Sequence, residues 1–159
     1  MSDVASRTVV SERDLWVAKG LNEVRRLVTS RGLVVPARIL IGVGQTTLGS
    51  NGLRVRGECW PSGCSRYGVP RIVVSEDLTD PVTILGVLVH EVVHAADDCQ
   101  DGHGAWFNAW ANVLGLEGSP STSPSRTLRR TLEPTVAWLG DYPPKGTGFV
   151  LSETGDVLV

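Results

Sequence analysis

Asp80-Pro81-Val82-Thr83-Ile84-Leu85-Gly86-Val87-Leu88-Val89-His90-Glu91-Val92-Val93-His94-Ala95-Ala96 decides how this chain folds. Asp80 can cap a helix, and Pro81 suits the first helical position, where no N–H is needed. The spacing predicts a helix from Val82 to about Asp97. It is apolar nearly all round, so it has to be buried in the middle of the domain. Its polar residues, Thr83 aside, are His90, Glu91 and His94. A buried glutamate and two buried imidazoles are costly without partners. His-Glu-x-x-His sets two imidazoles one turn apart on one helix face, spaced to grip a zinc ion. The glutamate beside the first histidine is placed to take a proton from a water that the metal activates.

The remaining histidine of the chain follows nearby, in Gly102-His103-Gly104. A catalytic zinc takes three protein ligands and leaves one position open. His103 is favoured as the third ligand: its flanking glycines permit a tight backbone approach, and it opens a further helix. Cys99, Asp97, Asp101 and Glu117 are the alternatives. Glu91 is the expected general base, passing its proton to the leaving amine. Arg66 and Tyr67, in the loop before the third strand, are candidate donors to the oxyanion.

Outward from this helix, the pattern predicts an α+β domain. Ser11 and Asp14 resemble a capping box, and Val17, Leu21, Val24 and Val28 recur at helical spacing over about 12–30, with Gly32 as the stop. Arg13, Glu23, Arg25 and Arg26 fall elsewhere on that helical wheel. Residues 38–43, the alternating segment 53–60 and 71–75 read as three strands of a small, antiparallel-rich sheet, with Asn51-Gly52 as hairpin chemistry. A helix over about 105–115 carries Trp106, Trp110, Val113 and Leu114 on one stripe, the two tryptophans as core. Residues 117–124 read as a Ser/Pro-rich loop. Arg126 to Leu139 forms a last helix with Leu128, Leu132 and Leu139 inward, weakened by Pro134. The expected organisation is a loose lead-in over 1–11, one domain over 12–139 and an irregular tail over 140–159.

Composition sets bounds. The chain has 159 residues, of which 42% are hydrophobic, enough for one domain with a proper core. A net charge of −2 gives no global case for nucleic-acid binding. Local clusters at Arg25, Arg26 and Arg31, and at Arg126, Arg129 and Arg130, leave weak, salt-sensitive contact with DNA as an expectation, with Trp60 available for base stacking. There is no apolar run long enough to span a membrane and no signal-peptide pattern at the start, so the expected location is the cytosol. Cys59, Cys64 and Cys99 are odd in number and poorly spaced for zinc, and are expected to be reduced, small residues without chemistry.

With these residues in hand, the chain resembles the SprT-like family of zinc metallopeptidases, most of all its short phage-encoded members. The resemblance covers roughly residues 12–139. It is carried by Cys59-Trp60-Pro61, by Leu78-Thr79-Asp80-Pro81 leading into Val87-Leu88-Val89-His90-Glu91-Val92-Val93-His94-Ala95, by Gly102-His103-Gly104 with Phe107, and by Leu114-Gly115-Leu116-Glu117-Gly118. It implies a zincin-like fold, one zinc ion on His90, His94 and His103, and Glu91 as catalytic acid and base. Related eukaryotic proteases degrade proteins crosslinked to DNA, so the resemblance also implies substrates among DNA-associated proteins. One departure is plain: no cysteine follows Cys99 in these 159 residues, so the four-cysteine zinc ribbon that many members append, and its contact with DNA, are not expected from this sequence. The competing expectation is a zinc-stabilised binding module, such as an adaptor acting on host transcription or replication proteins. A purely structural site would have no use for Glu91.

Overall fold

The computed structural model describes residues 8–146, 150–152 and 157–158. Within them the chain is a mixed α+β structure with four α-helices and a small mixed sheet. After β1 (Thr8–Val10), helix α1 (Glu12–Ser30) opens on the capping box expected of Ser11 and Asp14. It closes in the hydrogen-bond pattern of a glycine-terminated helix: Leu33 N–H reaches Val28 O and Gly32, at φ +95°, reaches Thr29 O. Strands β2 (Leu40–Gly44), β3 (Gly57–Trp60) and β4 (Arg71–Ser75) follow. Helix α2 (Pro81–Ala96) starts where Asp80 accepts Thr83 N–H, and α3 (Ala105–Leu114) ends on Gly115 at φ +84°. The two-residue strands β5 (Leu116–Glu117) and β6 (Ser123–Pro124) pair across what reads as loop, and lead into α4 (Arg126–Leu139). Strands β7 (Val150–Ser152) and β8 (Val157–Leu158) complete the elements.

The main sheet has the order β3-β4-β2-β8. β3 and β8 run antiparallel to their neighbours, whereas β2 and β4 are parallel, with Leu40 opposite Arg71. Alternation along the strands turns Ile41, Ile72 and Val74 to the core beneath α1 and α2. Strand β3 is shorter than the alternation predicts. Val55 N–H bonds Thr47 O and Gly49 N–H bonds Leu53 O, so residues up to Val55 are held in a separate hairpin, and Arg56 is the first to meet the sheet, its carbonyl accepting Ser75 N–H. Helix α2 is the centre: residues Ile84 to Val89 are buried without exception, and so are Val92 and Val93.

Expectations also change on α3 and at the two ends of the chain. On α3 the buried stripe is Phe107, Ala111 and Leu114, while Trp106 and Val113 are exposed and Trp110 is half-buried. Positions 107, 111 and 114 follow the i, i+4, i+7 rule for one face, and 106 and 113 lie a residue off it. The lead-in and the tail also carry strands: β1 pairs β7, and β8 adds to the edge of β2. Residues 140–143 strap onto α1 as well. Trp16 Nε1 donates to Gly140 O at 3.1 Å, and Arg13 Nε donates to Pro143 O at 2.8 Å with its guanidinium 4.7 Å over the Tyr142 ring. Arg13 is therefore buried, although its place on the wheel puts it outside the apolar stripe. The rest of the lead-in and tail, residues 1–7, 147–149, 153–156 and 159, lies outside the described residues. No described helix is long and apolar enough to cross a membrane.

Candidate metal centre

Helix geometry places His90 and His94 on the same face of α2, and the loop after α2 returns His103 to them. The three Nε2 atoms form a near-regular triangle: 3.1 Å between His90 and His94, 3.2 Å between His90 and His103, and 3.2 Å between His94 and His103. Among the described residues, these three form a group that could hold a metal ion. Phe107, one turn beyond His103 on α3, is the floor of the triangle. Its ring stacks on His94 at 4.4 Å and 19°, and meets the other two rings at 4.8 and 4.9 Å.

The arrangement fixes protons as well as positions. His90 Nδ1 lies 2.7 Å from Thr122 Oγ1, so a proton there leaves Nε2 bare and facing the triangle. Burial, then the charges of His94, His103 and Arg56, holds the His90 pKa down at about 3. Burial and His103 hold His94 at about 4, against the pull of Asp97 and Asp101. Burial lowers His103 as well. All three imidazoles are thus neutral at pH 7, the form that binds metal.

Glu91 is 4% exposed and lies against β3. The contact depends on Gly57. A Cβ on that residue would stand 2.8 Å from Glu91 Oε1 and 2.5 Å from Val87 Cγ1. Burial, followed by Cys99 and Glu58, pushes the Glu91 carboxyl up to about 8. A cation beside it would favour the ionised form and bring the value down. A cleft of about 550 Å³ opens over His90, Glu91 and His103. Its walls are the hairpin residues Leu53, Val55 and Arg56 on one side and Pro120, Ser121 and Thr122 on the other.

The alternative third ligands are occupied elsewhere. Asp97 Oδ2 accepts Asp101 N–H at 2.8 Å, and Asp101 Oδ2 accepts Phe107 N–H at 2.9 Å, fixing the loop that delivers His103. Glu117 is exposed on β5, and Cys99 lies against Cys59. Arg66 and Tyr67 pair with each other, guanidinium 4.7 Å over the ring, and do not line the cleft. Arg56 does line it, and its charge reaches His90. Of the arginine clusters, Arg25 donates to Ala37 O, Arg26 pairs with Glu23 and Arg31 donates to Val113 O. Arg126, Arg129 and Arg130 are exposed on α4.

Sequence reasoning did not identify Thr122, Arg56 or Gly57 as parts of the site. Each comes from a segment distant in sequence, and no local spacing marks them. Compared with protein-family models, with curated proteins and with solved structures, the chain has no match.

Proposed function

We propose that this chain is a zincin-like, SprT-type metallopeptidase that binds one zinc ion through His90, His94 and His103 and cleaves peptide bonds in protein substrates. The observation that carries this reading is the triangle of neutral Nε2 atoms with a buried glutamate beside it. A tetrahedral zinc held at 2.0–2.1 Å by each nitrogen needs N···N separations of about 3.3 Å, against the 3.1–3.2 Å found. Three imidazoles and an open cleft above them also match a catalytic rather than a closed structural site.

When bound, the metal supplies Lewis acidity to a water and to the scissile carbonyl. The chain's residues supply the rest. Glu91, held against Gly57, accepts the proton of the attacking water and delivers it to the departing amine nitrogen. Phe107 and Thr122 keep the imidazoles in place. The hairpin 48–54 and the segment 120–122 bound the cleft in which an extended substrate lies, and Arg56 offers a positive charge to the carbonyl oxygen as it becomes negative.

The test is incubation of zinc-loaded protein with denatured casein and with DNA-bound basic proteins, each with and without single-stranded DNA, beside Glu91→Gln. Cleavage by the wild type alone supports the peptidase. Zinc bound at one per chain without cleavage of any substrate would replace it with the adaptor reading. Stimulation by single-stranded DNA that is lost in Arg129→Glu/Arg130→Glu would assign DNA-associated substrates.

A further inference from the structure

Cys59 and Cys99 are 40 residues apart, yet their Sγ atoms lie 3.1 Å from one another. Two features build this contact. The residues at the end of α2, Asp98 at φ +54° and Cys99 at φ +60°, both sit in the left-handed region that L side chains rarely adopt. Asp98 then grips the turn after β3, accepting Ser62 N–H at 2.6 Å and Ser62 Oγ–H at 2.7 Å. The loop that delivers His103 is thus already docked on the end of β3, and the two sulfurs meet within that dock. Both cysteines are half-buried and free, while Cys64 is exposed.

We propose that Cys59 and Cys99 are a reversible modification site, at which a hydroperoxide oxidant joins them in a disulfide that ties β3 to the loop carrying His103. Cys99 is the less deeply buried of the two, so it is the sulfur a peroxide reaches and the nucleophile. The Cys99 thiolate attacks one peroxide oxygen, the O–O bond breaks, and hydroxide leaves, giving the sulfenic acid. Cys59 sulfur attacks Cys99 sulfur, the S–O bond breaks, and the oxygen departs as water with the Cys59 proton. Two thiols and one hydrogen peroxide become one disulfide and two waters. The two sulfurs give up two electrons, which reduce the O–O bond.

The step involves neither the metal nor peptide cleavage, so it stands or falls separately from the peptidase reading. The experiment treats the reduced full-length chain with hydrogen peroxide at a few equivalents and maps the peptides by mass spectrometry. The expected product is an intramolecular Cys59–Cys99 link, with Cys64 still open to alkylation and the reduced mass restored by dithiothreitol. The thermal midpoint should rise by about 5–10 °C on oxidation, since the link closes a loop of this length. Cys64→Ser should behave as the wild type, and Cys59→Ser and Cys99→Ser should show neither link nor shift. A link to Cys64, oxidation to sulfinic acid without any link, or a Cys59–Cys99 link that leaves the midpoint unmoved would overturn the proposal.

Discussion

Gly57 has no side chain, and Glu91 with Val87 fills the space that one would occupy. Gly57→Ala should therefore cost about 1–3 kcal/mol through overpacking and displace the carboxylate. A drop in peptidase activity with zinc content unchanged, read by metal analysis, is the expected pairing. Glu91→Gln should keep fold and metal but lose at least ~100-fold in turnover, the usual scale of general acid–base catalysis. Equal turnover by the two proteins would remove Glu91 from the mechanism. Thr122→Val removes the hydroxyl that orients His90 and should weaken zinc binding by about 10- to 100-fold, measured by competition with a chelating dye. His90 and His94 were legible because helix geometry sets their spacing, and His103 because it follows them closely between two glycines. Gly57, Thr122 and the partnership of Cys99 with Cys59 were not, since only the folded chain brings such distant segments together.

At the scale of elements, the caps carried most of the information. Asp80-Pro81 and Ser11 with Asp14 place the starts of α2 and α1 where the structure has them. What local pattern could not weigh was tertiary packing. On α3 the pattern and the fold differ by a single residue of phase: Trp106 is exposed and the smaller Ala111 is buried. Pro134 weakened the prediction of α4, yet the helix runs through it, held by Leu128 and Leu132 on the core side. Pro134 and Arg130, whose carbonyl loses its helical partner, are both exposed, so water can take the vacant place. Pro134→Ala should then stabilise the protein by about 1–3 kcal/mol, seen as a higher urea midpoint with an unchanged slope. A loss of stability would show that the ring itself is packed.

Across the whole molecule, the site sets opposing demands on pH. In chelator-treated protein, His90 and His94 titrate at about 3 and 4 when folded, against 6.5 in the open chain. As pH falls from 6.5 toward these values, the unfolded chain takes up protons first and stability declines. Glu91 acts in the other direction. Its value is raised from 4.5 to about 8, so its contribution is fully present below 4.5 and is lost as pH rises through 8. The contribution of these groups to metal-free stability should peak near 6.5 and fall on both sides. Glu91→Gln should flatten the alkaline limb, checked by thermal midpoints across pH, and an unaltered limb would mean that Glu91 ionises freely in the fold. With zinc present, the midpoint should rise with metal concentration.

The contact between Glu91 and Gly57 also divides labour between two parts of the chain. The three histidines lie within fourteen consecutive residues of α2, its loop and the approach to α3, while the base is seated only when β3 lies across α2. A chain whose sheet has not yet formed, or has begun to melt, can hold the ion and still lack a seated base. On the reading proposed above, the chain is latent as a peptidase until β3 docks on α2. Loss of β3 from α2 would then unseat the base while the three histidines, all carried by α2 and the loop after it, still face one another.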